Sequence, residues 1–419
     1  MRIEYAYEIR IFFFIRFQVF IGNFSYEKES LELGDLKGNH FTIALRNIQD
    51  PKNIIEAALE NLKERGFVNY FGQQRFGTEA SVKTSDIGLA LIQSNWLKAN
   101  ELILKPRGNE SPQMTRMRTH WWMYRNPKDA VVLLGSRITQ SKSIEATLLQ
   151  GLAQVHDNDY VSALDILQKN SKLLYVHAYQ ALIWNKVVSQ RIAKYGLQVL
   201  IGDLVKVGED AANEVIEGQD EMNKRELFES QLVVITEENI DKYSIYDVIM
   251  PIPGYKVKYP ANAEVKQMYV DLLAADGLDK GFGSLEHKVD TYSLPGDYRF
   301  ILNKPFDMNW RFVKYSEMNE DLLVSDVAIL RGGGHKSSAD EGQFEALIVE
   351  FSLPSSTYAT MALREAMKMD MGKGAQAALT VTYKAAHEDR KRELEGPIED
   401  DPTAKKAKNG DETVESNGQ

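Results

Sequence analysis

The feature that most constrains the fold is one helical segment that is apolar around most of its circumference, YVHAYQALIWNKVVSQRIAKYG (175–196). A helix of this kind cannot lie on a protein surface, because one of its apolar sides would stay exposed to water. It therefore indicates a body with several packed layers around it. Gly196 predicts the position at which this helix ends.

Strand-like segments flank a mostly helical region, residues 79–200. Before this region, residues 31–48 predict two short strands around a glycine-rich turn. A helix follows, with Asp50 as its N-cap, Pro51 at its first position and Gly66 at its C-terminus. After the helical region, strands are predicted in VIMPIPGYKVKYP, YRFILNKP, NWRFVKYSE and FEALIVEFSL, followed by a helix capped by Ser355 or Ser356, with a polar excursion predicted over residues 208–241.

The composition excludes several classes of site. Cysteine is absent, so there are no disulfides, thiolate nucleophiles or cysteine zinc sites, as expected in a reducing compartment. The seven histidines show no ligand spacing such as HxxxH, so no metal site is predicted. The apolar stretch at 9–21 is too short to span a bilayer and is interrupted by Arg16, so we interpret residues 1–21 as an aromatic-rich leader strand.

The formal net charge is −10, but the charge is unevenly distributed. Residues 96–142 contain nine Lys or Arg and three Asp or Glu, interleaved with tryptophan and tyrosine. Basic groups beside aromatic rings suit an RNA backbone with unstacked bases. On composition alone a solvated charged face is the favoured interpretation over RNA binding. The candidate RNA-binding residues in this segment are Arg107, Arg116 and Arg118.

The stretch NYFGQQRFG (69–77) contains three aromatic rings, an arginine and carboxamides in a short glycine-containing segment. A core segment would not contain so many hydrogen-bonding groups, and a plain surface loop would not expose three rings. Either a turn between core elements or a binding loop fits this composition.

NYFGQQRFG resembles the NYFGxQRFG signature of the TruD family of RNA pseudouridine synthases. Three other segments resemble family motifs in the same order: GNHFTIALRNI, HAYQALIWNKVVSQRI and SLPSSTYATMALREAMK. The segments DVIMPIPGYKVKYP and YSLPGDYR are most similar to the eukaryotic branch. The resemblance covers roughly residues 22–387.

The resemblance implies an α+β fold, in which a catalytic domain with a mixed, largely antiparallel sheet is split by an inserted helix-rich domain. The implied catalytic domain comprises residues 22–66 and 305–387, and the insertion comprises residues 67–304. Residues 388–419 are charged and free of aromatic residues, which is typical of a disordered tail.

The implied reaction is the isomerisation of uridine in RNA to pseudouridine, without cofactor or metal. The base leaves the ribose at N1, turns and rejoins it through C5. By position in the motif, Phe71 packs against the target base and Asn69 orders the site. Arg75 binds a phosphate or a carboxylate, and Gln74 reaches the base edge or the RNA backbone. Gly72 and Gly77 shape the loop, and Tyr70 and Phe76 are predicted to pack.

The family nucleophile is an aspartate in a GxKDxxA-type motif upstream of the GN-x-F segment, but no aspartate occurs before Asp35. NPKDA (126–130) lies after NYFG in chain order, so Asp129 is not assigned this role, and no catalytic residue is identified. Two explanations remain: the motif lies in an upstream part of a longer protein, or the chain is an inactive RNA-binding protein. A scaffolding role without RNA contact is a third alternative.

Three further expectations concern the rest of the chain. RGGGHK (331–336) lacks the pattern of a phosphate-binding loop and is interpreted as a flexible loop. KKAK (405–408) is a weak candidate nuclear-import signal, so we expect the nucleus or the cytoplasm. The expected partner is RNA, with tRNA favoured, and a monomer is favoured.

Overall fold

The computed structural model describes residues 36–369 with gaps at 78–81, 109, 141–142, 208–227, 318–319 and 333–341, and the single positions Tyr26 and Val381. The predicted leader strand, most of the RGGGHK loop and the charged tail lie outside the described residues.

The described chain contains both helices and strands. The helices are α1 (Lys52–Arg65), α2 (Thr84–Ile92), α3 (Trp96–Leu104), α4 (Pro112–Tyr124), α5 (Pro127–Gln140), α6 (Ile144–Gln154), α7 (Tyr160–Asp165), α8 (Lys169–Tyr195), α9 (Ala263–Ala275), α10 (Asp326–Leu330) and α11 (Ala359–Met367). The strands are β1 (Gly38–Arg46), β2 (Phe67–Val68), β3 (Leu204–Lys206), β4 (Leu232–Val234), β5 (Val248–Ile252), β6 (Asp297–Phe300), β7 (Leu302–Asn303), β8 (Phe306–Tyr315) and β9 (Phe344–Pro354). The pairings between these strands are antiparallel, and the α+β prediction is confirmed.

The first sheet joins segments from both sides of the helical region, in the order β1-β9-β8. One face of this sheet packs against α1 and α11, and Leu59 and Leu62 of α1 share a buried cluster with Val349 and Phe351 of β9. Because side chains alternate across a strand, one face of each strand supplies this core. Residues some 300 positions apart in the chain, such as Ala44 and Ile348, are therefore direct neighbours.

Two predicted helix caps are wrong. Helix α1 begins at Lys52, so Pro51 precedes the helix and no side chain caps it. Helix α11 begins at Ala359 after Tyr358, because Ser356 has a left-handed backbone (φ 59°) that does not lead into a helix. In the described part of residues 31–48, a single strand, β1, replaces the two predicted strands.

The helical region is built around α8, as its sequence predicts. Helix α8 ends before Gly196, which has φ 67°. Trp184 and Val187, near its middle, are completely buried. The indole Nε1 of Trp184 donates a hydrogen bond to the carbonyl oxygen of Met250 at 3.1 Å, which joins α8 to β5.

A second sheet has the order β4-β3-β5-β6, and β2 pairs with β7 beside it. Strand β4 lies within the segment 208–241 that was predicted to be a polar excursion; the strand pairs because Leu232 and Val234 supply apolar side chains. Two large cores result, one around α8 and one under the first sheet. Tyr70 and Tyr358 pack against both cores, so the NYFG motif lies at their boundary.

Within the described part of the chain, none of the helices combines the length and the apolar character that crossing a bilayer requires.

Candidate functional site

The backbone of the NYFGQQRFG motif leaves regular structure almost as soon as it begins. Strand β2 ends at Val68, and the next amide, that of Asn69, donates to the carbonyl oxygen of Ile301 at 2.8 Å. The chain then forms a short 3₁₀ turn, Gln73–Arg75. Gly77 has φ 82°, and a Cβ on it would lie 2.8 Å from the hydroxyl oxygen of Thr84, so this position requires glycine.

Asn69 binds an arginine that is distant in sequence. Its side chain is 1 % exposed. The side-chain oxygen of Asn69 accepts a hydrogen bond from Nη2 of Arg299, and its carbonyl oxygen accepts one from Nε, both at 2.7 Å. The structure therefore shows Asn69 bound to Arg299, and its role in ordering a nucleotide site stays a prediction.

Arg299 is a buried cation that forms no salt bridge with the described residues, although the charge of the nearby Asp297 acts on it. Its side chain is 4 % exposed, and Nη1 donates to the carbonyl oxygen of Ser356 at 2.7 Å. The guanidinium carbon lies 4.2 Å from the ring centre of Phe71 and 5.5 Å from that of Trp184. Among the residues that the structure describes, no Asp or Glu forms a salt bridge with it. Burial lowers the pKa of Arg299 to about 9, so the group stays charged at neutral pH.

Phe71 forms the apolar wall of this site, and its side chain is 9 % exposed. Its ring meets Trp184 at 90° with ring centres 5.7 Å apart, and it meets Tyr358 at 63° with ring centres 6.3 Å apart. A Cβ on Gly72 would lie 2.7 Å from Cδ1 of Tyr358, so glycine permits this close approach of the tyrosine ring. The main chain of Phe71 is bound by the side chain of Asn185.

The remaining motif residues divide into exposed and packing residues. The guanidinium of Arg75 lies 5.7 Å from the ring centre of Phe71, is half-buried and has no carboxylate partner among the described residues. Gln74 is exposed beside it. Tyr70 and Phe76 pack against the core around α8, as predicted. The structure thus gathers Asn69, Phe71 and Arg75 around Arg299, whereas the interaction of Gln74 with RNA stays a prediction.

The three arginines predicted to bind RNA in the helical region lie in different environments. Arg116 is exposed on α4, and Arg107 is half-buried, 3.8 Å from Glu145. Arg118 is 1 % exposed and binds Glu110 at 2.8 Å and Glu145 at 2.9 Å. The structure contradicts a direct RNA contact by Arg118, because its guanidinium faces the interior and is neutralised there.

Asp129, which was not assigned as the nucleophile from the sequence, and His287 both make their contacts outside this site. Asp129 lies exposed at the start of α5 and accepts a hydrogen bond from Asn126 at 2.6 Å. His287 accepts from the amide of Val289 at Nδ1 and contacts the hydroxyl of Ser94 through Nε2. In the described part of the chain, no cluster of His, Asp or Glu is arranged to hold a metal ion.

Comparison with known proteins decides the family. A sequence profile of the family described as tRNA pseudouridine synthase D (TruD) matches residues 16–366. The chain belongs to the TruD family. The matched region of this TruD chain includes the NYFG motif, Arg299 and Asn185.

The similar curated proteins are eukaryotic TruD relatives. The chain is 40 % identical over 364 residues to the human "Pseudouridylate synthase 7 homolog", a match that covers 87 % of this chain and 51 % of the relative. It is 37 % identical over 366 residues to the "Multisubstrate pseudouridine synthase 7" of Schizosaccharomyces pombe, covering 86 % of this chain and 53 % of the relative. The chain thus spans about half the length of the curated relatives that it matches.

A solved structure supports the TruD fold. The structure titled a putative tRNA pseudouridine synthase D from Methanosarcina mazei matches with a TM-score of 0.60 at 24 % identity, covering 82 % of this chain and 71 % of that chain. At this identity the likeness concerns the fold alone.

Sequence reasoning missed Arg299 and Asn185, although both lie in segments that resemble family motifs. Asn185 follows Trp184 in an otherwise apolar stretch of α8, and an amide in such a stretch signals a specific hydrogen-bond partner. Arg299 carried no comparable signal, because a charged residue in a short strand usually faces water.

Proposed function

We propose that the site around Phe71 and Arg299 is the uridine-binding part of an RNA pseudouridine synthase site. A uridine must leave its stack before its glycosidic bond can be attacked, which costs a few kcal/mol. The apolar ring of Phe71 and the half-buried Arg75 beside it offer a ring contact and a cation for this nucleotide. Phe71 belongs to the core around α8, and Tyr70 beside it packs against both cores.

The observation that carries the proposal is the unpaired charge of Arg299. A buried guanidinium is expensive unless an anion neutralises it, and here three neutral oxygens and aromatic rings are its partners among the described residues. Two of its five N–H donors remain free in this count. We assign this anion to an aspartate nucleophile such as the TruD family uses, because a carboxylate can accept hydrogen bonds from the remaining donors of the guanidinium.

The reaction conserves the atoms of the base. The bond from N1 of uracil to C1′ of ribose breaks, the base turns, and C5 forms the new bond to C1′. The proton on C5 is then lost to solvent, while N1 gains one. Phe71 and Arg299 bind and orient the base and the nucleophile in this scheme, and a covalent step needs the aspartate itself.

Release of tritium from RNA labelled at C5 of uridine measures this reaction directly. We expect no release by the chain of this sequence alone, because no aspartate precedes Asp35. Fusion to an upstream segment that carries the GxKDxxA-type motif should produce release, and Arg299→Met in that fusion should abolish it. Release by the unfused chain at the rate of a full-length relative contradicts the first expectation, and no release by the folded fusion contradicts the proposed site.

The alternative function is that of an inactive RNA-binding protein of the same fold. It shares the binding step, so the affinity of both kinds of protein for RNA falls as salt rises and counterions are released. If the fusion releases no tritium but still binds RNA in a salt-dependent manner, the result favours this alternative. Loss of RNA binding altogether favours a scaffolding role.

The finer properties are part of the proposal. We take tRNA as the substrate, a monomer as the working state and the nucleus or cytoplasm as the location. The similarity to relatives named as pseudouridylate synthases supports an RNA substrate. Competition between tRNA and unrelated RNA for binding tests the substrate, and sedimentation tests the monomeric state. Imaging of the protein with and without residues 405–408 tests its location.

A further inference from the structure

The side chain of Asn185 on α8 is bound to the main chain of Phe71, the residue that is proposed to contact the base. We propose that Asn185 is a positioning residue, which fixes the place of the Phe71 ring relative to the target uracil. The inference rests on the proposed function, because it takes Phe71 as the ring that contacts the base.

The geometry at Phe71 is that of a strand pairing made by one side chain. The amide of Phe71 donates to Oδ1 of Asn185 at 2.9 Å, and Nδ2 of Asn185 donates to the carbonyl oxygen of Phe71 at 3.0 Å. In an antiparallel pair, one residue of the neighbouring strand exchanges both bonds in this way. Strand β2 has already ended at Val68, so the carboxamide of Asn185 replaces a missing strand.

The support behind Asn185 is rigid. Trp184, the preceding residue, is completely buried and donates to the carbonyl oxygen of Met250 at 3.1 Å. One turn earlier, Gln180 donates to the carbonyl oxygen of Pro253 at 2.7 Å. Helix α8 is thereby attached to the second sheet at the level of Asn185. The carboxamide of Asn185 transmits this fixed position to Phe71.

Neighbouring contacts of the motif differ in what they fix. Arg299 binds Asn69, which fixes the start of the motif. Ser189, one turn after Asn185, contacts the hydroxyl of Tyr70 at 2.8 Å and fixes the end of a side chain. Of these contacts, the one from Asn185 acts on the main chain of Phe71 itself. Ser189 therefore provides a matched control on the same helix.

A positioning role differs from a merely structural role in what its loss changes. Ring contact with a base depends on close packing, and a gap of less than one ångström already loses a large part of it. Contacts to the RNA backbone are longer in range and tolerate such a shift. Loss of Asn185 should therefore weaken the part of the affinity that depends on the base and spare the part that depends on phosphates.

Two RNA probes of equal charge separate these parts of the affinity. One is an oligouridylate, and the other is a ribose-phosphate oligomer of the same length without bases. The dissociation constant for the abasic oligomer, divided by that for the oligouridylate, measures how strongly the whole chain recognises uracil. We expect Asn185→Leu, which is similar in size but forms no hydrogen bonds, to reduce this ratio by about tenfold. The affinity for the abasic oligomer should stay at the wild-type value.

The other variants keep the test decisive. Ser189→Ala should leave the ratio unchanged. Asn185→Asp retains an acceptor for the Phe71 amide but lacks the donor, so its ratio should lie between those of Asn185→Leu and the wild type. If Asn185→Leu does not fold, the result for Asn185→Asp provides the test. An unchanged ratio in the Asn185 variants, or an equal loss for both oligomers, overturns the positioning role. A wild-type chain that does not distinguish the oligomers contradicts the proposed function instead.

Discussion

Arg118 in the helical region and Arg299 beside the NYFG motif are both almost fully excluded from water, at 1 % and 4 % exposure. Their charges have different partners. Arg118 lies between Glu110 and Glu145, whereas Arg299 has no salt-bridge partner among the described residues. A buried cation with paired carboxylates is explained by the folded chain alone, whereas the proposed function assigns the anion for Arg299 to an aspartate outside the described residues. Arg118 is neutralised by carboxylates of the helical region, whereas the described residues form no such ion pair with Arg299.

The comparison predicts that breaking ion pairs in the helical region mainly affects stability, while changes at the motif mainly affect binding. The largest expected effect on stability concerns Arg191 and Asp203, which are both 0 % exposed and 2.5 Å apart. Asp203→Ala leaves the guanidinium buried and unpaired, and should lower the free energy of unfolding by about 3–5 kcal/mol. Urea denaturation measures this, with the exposed Asp241→Ala as control. A loss below about 1 kcal/mol would contradict this expectation and show that the variant solvates Arg191 or rearranges around it.

The next effect tests the internal role of Arg118. Arg118→Gln leaves two carboxylates in a largely buried site and should lower the free energy of unfolding by about 2–4 kcal/mol. The exposed neighbour Arg116 gives the matched control: Arg116→Gln should leave stability unchanged, weaken RNA binding and reduce its salt dependence by about one counterion. If Arg118→Gln weakened RNA binding of the folded protein as Arg116→Gln does, the contrast between the two arginines would be lost.

Arg299→Met should have a smaller effect on stability than either change. Among the described residues, no carboxylate loses an ion-pair partner through this change. The change does remove the donors to two oxygens of Asn69 and one of Ser356. We expect a loss of about 1–2 kcal/mol in the free energy of unfolding. Preference for oligouridylate over the abasic oligomer should fall at the same time. A loss comparable to that of Asp203→Ala would indicate a structural ion pair in the folded chain.

The smallest effect is a pH dependence at His287, which contacts the helical region through Ser94. Partial burial lowers the pKa of His287 from its ordinary value of 6.5. Below that value the unfolded chain binds a proton that the folded chain does not, so stability falls as the pH drops from 6.5 toward the lowered pKa. The loss should be modest because the ring is partly exposed, and His287→Gln should remove it. Melting temperatures from pH 7.5 to 5 provide the measurement, and an identical dependence in the variant would contradict the assignment.

The resemblance implied the α+β class, and the apolar circumference of residues 175–196 predicted the burial of α8, because such a pattern has to be buried in any packing arrangement. The sequence also predicted the glycine helix ends at Gly66 and Gly196, since a left-handed backbone favours glycine locally. The N-cap predictions at Asp50 and Ser355 or Ser356 were wrong. Candidate capping residues occur in series, and the tertiary path of the chain selects where the helix starts.

Only part of the candidate site could be predicted from the sequence. The motif residues are contiguous, so resemblance identified Asn69 and Phe71 together. Arg299 lies 230 positions beyond Asn69, and no local pattern joins them. Arg118 was assigned to RNA from a basic and aromatic stretch, but that stretch forms several helices, and their packing buried this arginine.

By itself, the sequence determined the elements, the family resemblance and the chemical groups of the motif, because these depend on residues close together in the chain. Tertiary structure alone decided which arginine is neutralised, which is exposed and which faces the Phe71 ring. The physical reason is that burial and charge pairing are set by elements that meet only after folding. Asn185 shows the same dependence: its carboxamide has a function only where α8 lies beside the end of β2.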